Sequence, residues 1–88
     1  MGKVFSTSRD IAKPVVDALR AAFQLDELGI NIERRNAVDD VAVWYAVSIL
    51  SHPEVLRLQE IADATHAKIA VLPLDASRLK VELRVSAR

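Results

Sequence analysis

The amino-acid sequence predicts a two-layer α+β fold, in which two helices cover one face of an antiparallel sheet. Three observations lead to this prediction. Residues 41–50 form an apolar run, two stretches show helical apolar spacing, and several stretches alternate between apolar and polar residues. The chain has 88 residues, which is the size of one domain, and 51% of them are hydrophobic, which is enough for a core.

The apolar run at residues 41–50 contains the only Trp and the only Tyr of the chain. Its β-branched and aromatic residues favour an extended backbone, so we expect a strand. Both faces of this strand are apolar, which is typical of an inner strand that is covered on both sides. A helix capped by Asn36 is the alternative, because Asp39 and Asp40 would then lie in its first turn.

A first helix is predicted after residues 6–10, which offer several N-capping side chains. Pro14 lacks an N–H and fits only near a helix start, so we expect the helix to begin between Asp10 and Lys13. Asp17 and Arg20 have the spacing of an ion pair on its exposed side. Apolar residues at helical spacing form one stripe, namely Ile11, Val15, Ala18, Leu19, Ala22 and Phe23.

The second helix has the clearest start signal in the chain. Ser51 has the position of an N-cap, and Glu54 completes a capping box three residues later. Pro53 falls in the first turn, where its missing N–H has no helical partner. The outward side of this helix is mainly acidic. Its buried stripe is predicted to contain Val55, Leu58, Ile61, Ala62 and Thr65.

The remaining strands are predicted from alternation and from turn residues. Residues 29–34 and 79–85 alternate. Residues 68–74 are apolar after Lys68 and are predicted to form the first strand of a terminal hairpin, with Pro73 expected at a strand end or an edge. Residues 34–40 are predicted to form a polar hairpin loop. A short first strand at residues 4–5 completes the set.

The order of these elements predicts a ferredoxin-like βαββαβ fold with an added C-terminal strand. If residues 38–50 were helical instead, the order would become α-β-α-α-β-β. That order is typical of a winged helix and would suggest DNA binding.

The composition excludes several kinds of active site. Two glycines cannot supply a Gly-rich phosphate loop, and no serine lies in a Gly-x-Ser-x-Gly turn. Asp63 and His66 share one helix side, but two ligands do not make a metal site. We therefore expect a protein that is not an enzyme and that has no cofactor and no metal.

The charge balance and the apolar runs limit which partners and which location we expect. Twelve Lys and Arg residues balance twelve Asp and Glu residues, which argues against nucleic-acid binding. No apolar run approaches the roughly 20 residues of a membrane span. The absence of cysteine is compatible with a reducing compartment, and a cytoplasmic location is expected. Carboxylates are in excess in residues 36–66, whereas cations are in excess in residues 67–88.

These features together predict a small protein–protein interaction module, of adaptor or inhibitor type, that binds another protein or itself as a homodimer. The second face of the inner strand is expected to form an apolar patch that a second copy would cover. The interface candidates are Trp44, Tyr45, Arg34, Arg35, Glu60 and Asp63.

Two alternatives belong to other classes of function. The first is a nucleic-acid-binding regulator, either of the winged-helix type or with sheet aromatics that stack on RNA bases. The second is a small enzyme whose site forms between subunits and uses residues such as His52, Tyr45 or Asp63.

Overall fold

The computed structural model describes residues 8–25, 27–35 and 38–86, and the side chains of residues 10–25, 27–33 and 40–86. The described elements are α1 (Ser8–Ala22), β1 (Gly29–Arg35), β2 (Val38–Val47), α2 (His52–Thr65), β3 (Lys68–Pro73) and β4 (Leu79–Ser86). The strands form one antiparallel sheet in the order β1-β2-β4-β3. Both helices contribute to a single core on one sheet face, so the predicted two-layer α+β fold is confirmed.

The inner strand β2 organises this core. Val41, Val43 and Tyr45 point toward the helices and are at most 3% exposed. They pack against Val15 and Leu19 of α1 in one cluster. Pairing with β1 on one side and β4 on the other satisfies the backbone of β2 along both edges. Since residues 38–47 form a strand, the winged-helix alternative is wrong.

The strand β4 lies between β2 and β3, where the first strand lies in a ferredoxin-like sheet. Its predicted alternation is confirmed, because Val81 and Leu83 face the helices and are fully buried. The predicted first strand at residues 4–5 lies outside the described residues.

The hairpin between β1 and β2 is tighter than predicted. The strands continue through residues 34 and 35 and resume at residue 38, so most of the predicted polar loop at residues 34–40 is paired strand. The polar composition of this stretch therefore did not indicate a loop, since its described backbone is mostly paired.

The first helix starts at Ser8, earlier than predicted, so Pro14 lies in the helix interior. An interior proline costs about 3 kcal/mol. Complete burial of Val15 and Leu19 offsets this cost, because each such side chain contributes about 1.5–3 kcal/mol. Asp17 pairs with Lys13 at 2.7 Å, one turn earlier, and not with the predicted Arg20.

The second helix begins with the predicted capping box. The Glu54 N–H donates to Ser51 Oγ at 3.4 Å, and the Ser51 N–H donates to Glu54 Oε1 at 3.2 Å. His66 ends the helix in the left-handed conformation with φ 56°. Leu58, Ile61 and Ala62 are buried as predicted.

Two details of the second helix complete its description. Val55 was predicted to belong to the buried stripe, but it is 42% exposed, so this part of the prediction is wrong. No helix in the described part of the chain has the length and apolar character needed to cross a membrane.

Removal of the cap should measure its contribution. We expect Ser51→Ala to lower the free energy of unfolding by about 1 kcal/mol, because the Glu54 N–H loses its acceptor. Ser48→Ala is the matched control, since Ser48 is exposed at the end of β2. Urea denaturation of both variants provides the measurement, and equal midpoints would contradict the capping role.

Candidate functional site

The sheet face opposite the helices, which we call the open face, carries the even-numbered residues of β2 and β4. Glu33 of β1 lies on the same face, because it is paired with Asp40. Arg84 donates to Glu33 and to Glu82 at 3.1 Å each, and Lys80 lies 3.7 Å from Glu82. These four charged residues form an ion ladder that links β4 with β1 across β2.

The ion ladder is partly buried. Glu82 is only 6% exposed and has a cation on either side, so its charge is compensated where water is excluded. The hydrogen bond with Glu82 raises the pKa of Arg84, burial opposes this, and the hydrogen bond with Glu33 adds to it. Arg84 therefore stays charged at all ordinary pH values.

A small residue allows the ladder to cross β2. Arg84 is paired with Ala42, and beyond Ala42 lies the strand that carries Glu33. A larger residue at position 42 would block this path. Ala42 itself is 2% exposed although no helix lies on its side.

Trp44 packs against backbone on the open face. It is paired with Gly29 of β1, and a Cβ atom on Gly29 would overlap the indole ring. Lys80 Nζ lies 5.1 Å from the ring centroid in a cation–π contact. The indole Nε1 is buried and has no hydrogen-bond partner among the described residues.

The open face therefore differs from the expected apolar patch. The even-numbered residues of β2 do point away from the helices, but Ala42 is covered and charged side chains of β4 flank Trp44. Tyr45 points toward the helices, so Trp44 is the only aromatic residue on this face in the described strands. The strand alternation of β4, which predicted solvent-facing charges, did not reveal that they join a ladder.

Tyr45 lies at the end of the core, beside the last turn of α1. Its ring centroid is 6.2 Å from that of Phe23. The side chain is 3% exposed, and its hydroxyl has no hydrogen-bond partner among the described residues. Burial, with a smaller contribution from the charge of Glu54, raises the pKa of Tyr45 to about 12.

A cleft of about 770 Å³, which we call the end cleft, opens beside Tyr45. A smaller recess of about 350 Å³ on the Trp44 side shares Glu27, Tyr45, Ala46 and Arg78 with it. The end cleft is lined by Ala22, Phe23, Gln24, Leu25, Glu27, Tyr45, Ala46, Val47, Glu54 and Arg78. It thus brings together segments that are far apart in the sequence.

The charged groups of the end cleft differ in how they are paired. Arg78 donates to Asp75 through Nε at 2.8 Å and Nη2 at 2.6 Å, and this contact lowers the pKa of Asp75 to about 2. Glu54 accepts from Ser51 in the capping box. Glu27 makes no ion pair or hydrogen bond with any described residue, so its carboxylate is available.

The other residues predicted from sequence lie elsewhere. Glu60 pairs with Arg57 at 3.6 Å, and Asp63 accepts from Gln59 at 2.9 Å, both on the exposed side of α2. Arg34 and Arg35 are the last residues of β1, and their side chains lie outside the described part. Trp44 and Tyr45 occupy opposite faces of β2, so these candidates do not form one surface.

Comparisons with known proteins add no functional information. No protein-family model matches the chain, and no curated protein is significantly similar to it. Among the side chains of the described ranges, no three His, Asp or Glu residues are grouped in a way that could hold a metal ion.

The contact between Gly29 and Trp44 can be tested by a double-mutant cycle. We expect Gly29→Ala to destabilise the fold by about 1–3 kcal/mol, because the added methyl group overlaps the indole ring. The same change in a Trp44→Leu background should cost much less. Equal costs in both backgrounds, measured by urea denaturation, would show that the ring is not the obstacle.

The environment of Tyr45 predicts a dependence of stability on pH. The folded protein keeps the phenolic proton up to a pKa of about 12, whereas the ordinary value is 10.0. The unfolded state therefore binds fewer protons in this range, and stability should fall as the pH rises through it.

Tyr45→Phe should remove this dependence. At pH 7 we expect the variant to be as stable as the wild type or more stable by about 1 kcal/mol, because an unpartnered hydroxyl is removed. Urea denaturation of both proteins below and above pH 10 gives the comparison. Parallel pH profiles would contradict the buried hydroxyl.

Proposed function

We propose that this domain is a non-enzymatic protein–protein interaction module that forms a homodimer through the outer edge of β1. The observation that supports this proposal is the exposure of Ile30 and Ile32, which are 38% and 51% exposed. Both lie on the helix side of the sheet, since they are paired with Val43 and Val41. A cytoplasmic location belongs to the same proposal.

The edge formed by β1 is suited to strand addition. Among the described strands, only β2 pairs with β1, so β1 is an edge strand of the described sheet. An edge strand can template the addition of another strand. The strand is seven residues long and contains no proline. A second strand placed along this edge would form backbone hydrogen bonds and cover the two isoleucines.

The opposite edge of the sheet is less suited to pairing. β3 has six residues, begins with Lys68 and ends with Pro73, which has no N–H to donate. Lysine and proline are residues that commonly protect sheet edges from further pairing. This difference favours β1 over β3 as the interface.

A second copy of the chain is the occupant that the geometry favours. Antiparallel pairing about a two-fold axis through Ile32 aligns β1 with itself and places the isoleucines of both copies on the same side. The zero net charge adds little repulsion between two copies. The open face is less suitable for this role, because its ion ladder already pairs its charges within one chain.

Sedimentation velocity at tens of micromolar tests the proposal. We expect a species of twice the 9.7 kDa chain mass, which Ile32→Lys should convert to a monomer because the edge then carries a buried charge. Val71→Lys is the matched control, since Val71 occupies the helix side of the other edge strand.

Three outcomes would contradict this interface. A wild-type protein that sediments only at 9.7 kDa would remove the dimer. A dimer that survives Ile32→Lys, or one that Val71→Lys disrupts equally, would place the contact elsewhere. Circular dichroism of both variants confirms that they remain folded.

A further inference from the structure

The end cleft has the size and the mixed lining of a site for a small molecule. Its volume of about 770 Å³ lies within the range of ligand pockets, roughly 300–1,000 Å³. One part of its wall is apolar and is formed by Phe23, Leu25 and Val47. Another part carries the carboxylates of Glu27 and Glu54. Such a lining fits a ligand with an apolar body and a polar group.

The electrostatic balance of the end cleft is negative. Arg78, the one cation among the described lining residues, is doubly hydrogen-bonded to Asp75, so its charge is largely compensated. Glu27 has no described partner, and the described hydrogen bonds of Glu54 come only from the uncharged N–H and hydroxyl of Ser51. The last turn of α1 also ends at this cleft, where the partial charge of a helix terminus is negative. A cation is therefore favoured over an anion.

The hydroxyl of Tyr45 is a separate indication of a ligand. The side chain is 97% buried and lines the end cleft, yet its hydroxyl has no described partner. Buried hydroxyl groups without a partner are uncommon, because their desolvation is not compensated. A donor group in the cleft would supply the missing hydrogen bond once the side chains that cover the hydroxyl shift.

We propose that the end cleft binds a small organic cation, in which an ammonium group is attached to an apolar body. The ammonium group lies between Glu27 and Glu54 and donates to the hydroxyl of Tyr45. The apolar body packs on Phe23, Leu25 and Val47. This site is independent of the dimer interface, which lies along the outer edge of β1.

Titration with benzylamine, followed by amide chemical shifts, tests this site at pH 7. Saturable shifts are expected at Phe23, Glu27 and Tyr45, with a Kd of about 1 mM or below. Benzyl alcohol has the same ring without the charge, and phenylacetate has the opposite charge. Both are expected to bind at least about tenfold more weakly. The Ile32→Lys variant should bind benzylamine as the wild type does, which separates this test from that of the dimer.

Three variants assign the contacts. Glu27→Gln should raise the Kd for benzylamine about five- to tenfold, because it removes the charge and keeps the shape. Tyr45→Phe should raise it about threefold through loss of one hydrogen bond. Glu60→Gln is the matched control, since Glu60 lies on the exposed side of α2, and it should leave the Kd unchanged.

Several results would overturn the proposal. Benzylamine shifts that do not saturate, or that map outside the end cleft, would exclude the site. Equal effects of Glu27→Gln and Glu60→Gln would indicate unspecific attraction to acidic groups. Tighter binding of phenylacetate than of benzylamine would assign the cleft to anions that displace Asp75 from Arg78.

Discussion

The structure depends on one constraint, which is that its inner strand β2 is apolar on both faces. On one face the helices cover the apolar side chains, because Val41, Val43 and Tyr45 pack against α1 and α2. On the other face neither described helix is present. There the backbone is covered by side chains from the neighbouring strands, which reach over Ala42 and flank Trp44. The small side chain of Ala42 makes this coverage possible.

Local features of this fold could be predicted from the sequence. The capping box at Ser51, the alternation of β4 and the apolar stripe of α1 each depend on residues a few positions apart. The strand prediction for residues 41–50 followed from side-chain shape and is confirmed for residues 41–47, whereas β2 begins at Val38 and ends at Val47. The inner position of β4 could not be predicted in this way, because the order of strands in a sheet depends on contacts between distant segments. The length of the first hairpin loop was missed because polar residues also occur in exposed strands.

The candidate site could be predicted only in part. Trp44 and Tyr45 stood out as the single Trp and single Tyr, and strand alternation separates them onto opposite faces. Which of the two faces the helices required the packing of the core. Glu27 and Arg78 belong to no motif, and their contribution to one cleft arises from the ends of several elements meeting. The missing hydrogen-bond partner of the Tyr45 hydroxyl likewise could not be predicted from the sequence, because it depends on which groups surround the hydroxyl in the fold. Chemistry that depends on such convergence is found only after the fold is known.

The inner position of β4 has a consequence for synthesis on the ribosome. β2 and β3 are not paired with each other, so the sheet is continuous only once β4 has been inserted between them. Until residues 79–86 have left the ribosome, one edge of β2 and one edge of β3 lack their common partner, β4. Late insertion of an inner strand makes the growing chain vulnerable to wrong pairing with other chains.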